Sequence, residues 1–250
     1  MPQDLTFTTS VSGHTPEGHQ IRGHKLEELI AKGDFVATLF LSITGRKPNP
    51  NETFIFNAIL TTSIDHGVQP ASGFVPRVVA ASGNEVKTAM ASTLLALGKY
   101  HGGAITDVMY TMKEIKSSGE NIEQACQKIV TSYREQKKRI MGYGHPIYKN
   151  GDPRTEQLFA LAQAKGLQPD YINLALMLEE TIERTLNKKL VLNVDGAIAA
   201  LLLAMDFDPE AGNAIFALAR TAGSIAHILE ELKEKPVRRL ADGTVSYQPK

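Results

Sequence analysis

The apolar positions of the chain are spaced as helices along most of its length. Leu26, Leu29, Ile30 and Phe35 open a 3.6-residue pattern, and Thr53 to Ile64 continues one. Glu85 to Leu97 mixes Ala, Leu and Met with small residues that let helices approach closely. Asn121 to Arg139 and Arg154 to Lys165 are amphipathic, with their charges on one face. Leu174 to Leu186, Ala197 to Met205 and Pro209 to Leu232 are helical again. Asp208 before Pro209 has the form of an N-cap followed by a first-turn proline. No two-residue alternation lasts more than a few positions. The expected class is all-α, with one short hairpin at Leu240 to Tyr247 around Asp242-Gly243. The breaks fall at Gly67 to Gly73, His101-Gly102-Gly103, Gly142 to Pro153 and Asn193 to Gly196. Each break carries an ionisable residue, and the helix N-termini that follow attract anions.

Composition narrows the class. The chain has 250 residues, with 27 Lys plus Arg against 27 Asp plus Glu. That balance removes the electrostatic argument for nucleic acid or an anionic membrane as partner. A single cysteine, Cys126, excludes a disulfide-stapled scaffold. Met1 to Ser10 has neither the basic nor the apolar region of a signal peptide. No apolar run approaches the roughly 20 residues that span a bilayer. A cytoplasmic protein is the expectation that remains. No GxGxxG or GxxxxGK[ST] phosphate loop occurs. His14, His19 and His24 recur at intervals of five, which does not place ligands on one helix face, so no metal is expected.

Four segments carry candidate chemistry. In His101-Gly102-Gly103 the glycines permit a tight turn and a close ligand, although a solvated histidine at a helix C-cap has the same sequence. Met141 to Lys149, followed by Gly151-Asp152-Pro153-Arg154, reads as a rigid irregular loop. Arg154 falls in a first helical turn, where the dipole disfavours a cation, which points to an anionic ligand or a plain surface arginine. Asp195 lies in the apolar run Leu190 to Gly196, where desolvation favours its acid form; it also fits as an N-cap for the helix from Ala197. Asp65-His66-Gly67 is the weakest of the four.

The order of these motifs resembles the citrate synthase superfamily. His66-Gly, His101-Gly-Gly-Ala, Gly-Tyr-Gly-His145-Pro with Asp152-Pro-Arg154, Asn193-Val-Asp195-Gly and Arg220-Thr-Ala-Gly follow one another as they do in that family. The likeness starts near Ile21-Arg22-Gly23-His24, with His24 in the place of a family tyrosine, and runs almost to Tyr247. In length and spacing the chain looks most like the citryl-CoA lyase branch, including the C-terminal module of ATP citrate lyase. His101 is the synthase-type residue at its position.

The resemblance implies a helical homodimer, or a higher oligomer, with a two-part protomer and a site in the cleft. Residues 1–103 with 194–250 would form the large domain and 104–193 the small one. It implies citryl-CoA cleavage to acetyl-CoA and oxaloacetate, with a coenzyme A thioester as substrate and no metal. His145 would accept the tertiary hydroxyl proton, His101 would stabilise the enolate, and Asp195 would protonate its carbon. His66, Arg154, Arg220 and a partner-subunit arginine would bind the dicarboxylate. For the last, Arg239 fits better than Arg238. Tyr143, Gly144 and Lys149 would lie along coenzyme A. The alternative is a short synthase condensing acetyl-CoA, or a related acyl-CoA, with oxaloacetate. A second alternative is a non-catalytic subunit that binds coenzyme A or a dicarboxylate.

Overall fold

A computed structural model describes residues 7–237, 244 and 246–248. An antiparallel sheet of three strands comes first: β1 (Ser12–Thr15), β2 (Gly18–Ile21) and β3 (His24–Lys25). The hydrophobic pattern does not announce it. Its strands have two to four residues, and β1 is exposed throughout, so no apolar face exists to produce an alternation. His14 pairs with His19 across this sheet. Among the described residues no group of three or more potential metal ligands occurs. The hairpin expected around Asp242-Gly243 lies outside the described residues.

Eleven helices are described: α1 (Leu26–Lys32), α2 (Phe35–Thr44), α3 (Pro50–Ser63), α4 (Ala71–Ala81), α5 (Val86–Leu95), α6 (Ala104–Ser117), α7 (Ile122–Glu135), α8 (Pro153–Ala164), α9 (Asp170–Leu186), α10 (Val194–Ala204) and α11 (Ala211–Glu231). The fold is therefore mainly α. The pattern from Leu26 to Phe35 is divided by Gly33, a left-handed C-cap, and Asp34 then caps α2 through the Ala37 N–H at 2.8 Å. Two helices lie where the pattern predicted none. One is α4, which starts inside a segment of breakers and runs through Pro76. The other is α6, whose Ile105, Val108, Met109, Met112 and Ile115 form one buried stripe.

Burial follows composition. Nine of the 11 residues of α10 are buried, and it packs against α3, α6, α8 and α9. A helix apolar on all sides has to be enclosed in this way. The long α11 packs against α3, α4, α5 and α6. Phe40, Phe56 and Phe207 join α2 and α3 to the segment after α10, with ring centroids 4.8–5.7 Å apart. Among the described residues no helix is long and apolar enough to cross a membrane.

Candidate active site

Two of the glycine-containing breaks are laced together. Tyr143 pairs with Leu192, Gly144 N–H donates to the Val191 carbonyl at 2.6 Å, and Asn193 N–H donates to the Gly142 carbonyl at 3.0 Å. The Asn193 amide donates to the Gly144 carbonyl at 2.9 Å. Its oxygen accepts from the Asp195 and Gly196 N–H groups at 3.0 and 3.3 Å. Asn193 is therefore the N-cap of α10. Asp195, which the sequence also allowed as a cap, sits in the first turn with that duty removed.

The third break is a tight turn. Gly98 and His101 exchange backbone hydrogen bonds at 2.8 and 2.9 Å. Gly102 has φ of 77°, and a Cβ on Gly103 would lie 2.7 Å from the Gly98 carbonyl oxygen, so both glycines are required. His101 is thus part of a built turn, not a helix C-cap.

A cavity of about 560 Å³ is bordered by His101, His145 and Asp195, together with Tyr143 and Gly144. Burial raises the Asp195 carboxyl above its ordinary range; Asp152 adds to this, while Arg154 and Arg220 oppose it. Among the described residues no hydrogen-bond donor reaches that carboxyl group. Its acid form is therefore accessible for proton transfer.

Burial disfavours the charged form of both histidines. Burial lowers His101, and the nearby Arg220 and His66 act in the same direction. His101 Nε2 is 2.8 Å from Ser72 Oγ, which also accepts from Arg220 Nη1 at 3.0 Å. The pair is satisfied when Ser72 donates to Nε2, which leaves the ring proton on Nδ1.

Burial also lowers His145, followed by Arg154, while Asp152 opposes the shift. His145 Nδ1 accepts the backbone N–H groups of Ile147 and Tyr148 at 3.0 and 3.1 Å. A neutral ring so held carries its proton on Nε2. Nε2 lies 3.3 Å from Arg154 Nη2, so two donors face each other there. An oxygen acceptor between them would satisfy both. In this tautomer His145 is a donor, and accepting a proton at Nε2 would first need the tautomer that opposes both backbone N–H groups.

Arg154 does occupy the first turn of α8, but its charge is already matched. Its Nε and Nη2 donate to the two carboxylate oxygens of Asp152 at 3.0 and 2.7 Å. Asp152 is 1 % exposed and also accepts the Val194 N–H at 3.2 Å. Burial alone would raise the Asp152 carboxyl, but Arg154 and the backbone donors hold it below its ordinary range. Arg220 is buried on α11 and donates through Nε to the Ser63 carbonyl at 3.0 Å. His66 is exposed and near enough to act on both His101 and His145.

Two of the residues expected along coenzyme A have hydrogen-bond partners within the protein. Tyr143 is 8 % exposed and its hydroxyl donates to the Ala175 carbonyl at 3.0 Å, so it anchors its loop in the core. The Lys149 ammonium donates to the His145 carbonyl at 2.8 Å and does not border the cavity. Arg238 and Arg239 lie outside the described residues. In place of Lys149, the cavity is edged by Lys99, Arg134, Lys138, Arg139 and Lys188. The amphipathic pattern of Asn121 to Arg139 groups its charges on one face but does not show that Arg134, Lys138 and Arg139 edge a cavity. Nor does the sequence show Ser72 or the part played by Asp152, because those contacts span distant segments.

Comparison with known proteins agrees with this arrangement. The family profile described as "Citrate synthase, C-terminal domain" matches residues 17–241. A citrate synthase from Synechocystis is 32 % identical over 228 residues, covering 87 % of this chain but 56 % of that protein. The chain therefore spans little more than half of this relative. The structure of a citryl-CoA lyase from Hydrogenobacter thermophilus superposes with a TM-score of 0.92 at 37 % identity, over 98 % of this chain and 96 % of the other. An ATP citrate lyase from Methanothrix soehngenii, in complex with citrate and coenzyme A, gives 0.84 at 25 % identity, over 100 % of this chain and 43 % of the other. On the family match and the extent of these likenesses, the chain belongs to the citrate synthase family.

Proposed function

We propose that this protein cleaves citryl-CoA to acetyl-CoA and oxaloacetate. One observation carries the reading: a single cavity is bordered by His101, His145 and the buried Asp195, whose carboxyl meets no hydrogen-bond donor among the described residues. In a retro-aldol cleavage the C3 hydroxyl proton passes to solvent, while His145 Nε2–H and Arg154 stabilise the alkoxide left behind. The carbon–carbon bond then breaks and the electron pair moves onto the thioester. His101 Nδ1–H stabilises the resulting enolate oxygen. Asp195 delivers its proton to the enolate carbon and regains one from solvent, which balances the proton lost by the C3 hydroxyl.

Arg154 and Arg220 bind the free carboxylates, with His66 beside them and Arg239 supplied by a second copy. The cations Lys99, Arg134, Lys138, Arg139 and Lys188 suit the phosphates of coenzyme A. Gly144 leaves room for the thioester arm. Assembly as a homodimer is supported by exposed apolar residues on three neighbouring helices: Phe74 and Val78 on α4, Leu95 on α5 and Leu229 on α11. A division into two units has the cleft between them. The small unit is residues 104–193, and the large unit is 1–103 with 194–250.

The test is a paired assay on purified protein. One tube receives citryl-CoA and is followed for oxaloacetate. The other receives acetyl-CoA and oxaloacetate and is followed for free coenzyme A. Cleavage in the first with little thiol in the second is the expected result. Rapid thiol release in the second establishes a synthase instead. Silence in both, with binding of coenzyme A, establishes a binding subunit.

A further inference from the structure

One stripe of α11 meets the end of α3 residue by residue. Arg220 Nε donates to the Ser63 carbonyl at 3.0 Å. One turn on, Gly223 lies so close that an added Cβ would be 1.9 Å from the Ile64 carbonyl oxygen. After a further turn, His227 Nε2 is 2.9 Å from Asp65 Oδ1. Spacings of three and four residues put these positions on one face. Asp65 also accepts the Gly67 N–H through Oδ2 at 3.1 Å. From the opposite side, Gly73 of α4 abuts Gly67, where an added Cβ would be 2.3 Å from the Gly67 carbonyl oxygen.

His66 is thus flanked by two held residues. Its own ring makes no hydrogen bond among the described residues, although it lies within electrostatic reach of His101 and His145. We infer that His227 is a positioning residue: through Asp65 it fixes the segment that presents His66 to the dicarboxylate. This rests on the proposed lyase reading. The Asp65 turn to Gly67 is local and forms without help. The contact to α11 is tertiary, and it adds to the Arg220–Ser63 and Gly223–Ile64 contacts in setting where that turn stands. Asp65 also acts on Arg220 directly, as a nearby opposite charge. The two ligand-binding groups therefore share one support.

The test compares wild type, His227→Ala and His227→Gln. Oxaloacetate affinity is measured by calorimetry, KM and kcat with citryl-CoA, and amide exchange over 64–67 by mass spectrometry. The Gln amide nitrogen reaches the place of Nε2 and keeps a donor for Asp65. Loss of a hydrogen bond to a charged group predicts about tenfold weaker oxaloacetate binding and a similar rise in KM for His227→Ala, with kcat within about twofold. His227→Gln is expected to stay within about twofold of wild type in both. Amide exchange at 64–67 is expected to quicken in His227→Ala alone. Unchanged oxaloacetate affinity in His227→Ala overturns the inference and leaves the lyase reading intact. A KM that rises equally in both variants, or a loss confined to kcat, also overturns it. If His227→Ala does not fold, His227→Leu, which keeps the volume but offers no donor to Asp65, takes its place and must weaken oxaloacetate binding in the same way. Wild type that neither binds oxaloacetate nor cleaves citryl-CoA overturns the lyase reading, and this inference with it.

Discussion

Gly142 and Gly196 stand back to back: a Cβ on Gly196 would lie 2.7 Å from the Gly142 carbonyl oxygen, and one on Gly142 would lie 3.0 Å from Gly196 Cα. No other side chain permits this approach. It brings the loop of His145 against the first turn of α10, which carries Asp195. Gly142 also has φ of 81°, which L-residues rarely adopt. Gly196→Ala is therefore expected to cost about 1–3 kcal/mol of stability through overpacking, and to lower kcat by separating the two groups. Urea unfolding, with turnover measured under native conditions, checks both.

Asp195→Asn is expected to lower kcat by about 10²–10⁴ if Asp195 is the proton donor. It is also expected to raise stability at neutral pH. The folded carboxyl is raised by burial, so between the unfolded and folded pKa values the native state binds more protons than the unfolded state. Stability then falls as pH rises through that window. Asn cannot ionise and escapes this loss. Melting curves of the two proteins should differ at pH 7 and converge as pH falls below the unfolded carboxyl range. An Asp195→Asn variant with full turnover would sink the mechanism.

Asp152 titrates with the opposite sign. Arg154 and the backbone donors outweigh burial and hold its folded pKa low. The contribution to stability is complete above the unfolded pKa and is lost as pH falls through the folded one. Removing one partner of such a pair strands the other, so Asp152→Ala is expected to cost about 3–5 kcal/mol. Acid titrations monitored by circular dichroism should show wild type losing stability at low pH more steeply than the variant.

The cations at the cavity edge predict a salt-sensitive step. Lys138→Ala and Lys188→Ala are each expected to raise KM for citryl-CoA by about two- to fivefold, since exposed charge pairs are worth little singly. Oxaloacetate affinity should stay unchanged in both. For wild type, KM should climb between low and physiological ionic strength as screening shortens the reach of these charges. Initial rates across a salt series measure this.

Ser72 offers a more local probe. Ser72→Ala leaves His101 Nε2 and Arg220 Nη1 without their shared partner. The tautomer with Nδ1–H is then no longer enforced. A fall in kcat of about tenfold is expected from losing one oriented donor, with a rise in KM because Arg220 loses the same partner. A kcat equal to wild type would remove His101 Nδ1 from the mechanism.

Much of this was legible along the chain. The helical periods of α3, α7, α8, α9 and α11 lie in the spacing of their apolar residues, because burial of one face selects that spacing. The breaks at His101, His145 and Asp195 are visible because glycine, proline and asparagine punctuate helices through local backbone preferences. The order of those breaks is enough to identify the family. Other features are absent from any single segment. The sheet at Ser12–Lys25 has strands too short to show a period. The sequence placed Arg154 in a first turn but could not show that Asp152 neutralises it, since that depends on how the loop closes. It marked His145 as reactive, yet the backbone N–H groups on Nδ1 decide which nitrogen holds the proton. Ser72, the cations at the cavity edge and the reach of His227 to Asp65 join residues far apart in sequence. Local sequence sets backbone preference and burial pattern. Hydrogen-bond direction and desolvation depend on which atoms meet, and only the tertiary structure brings them together.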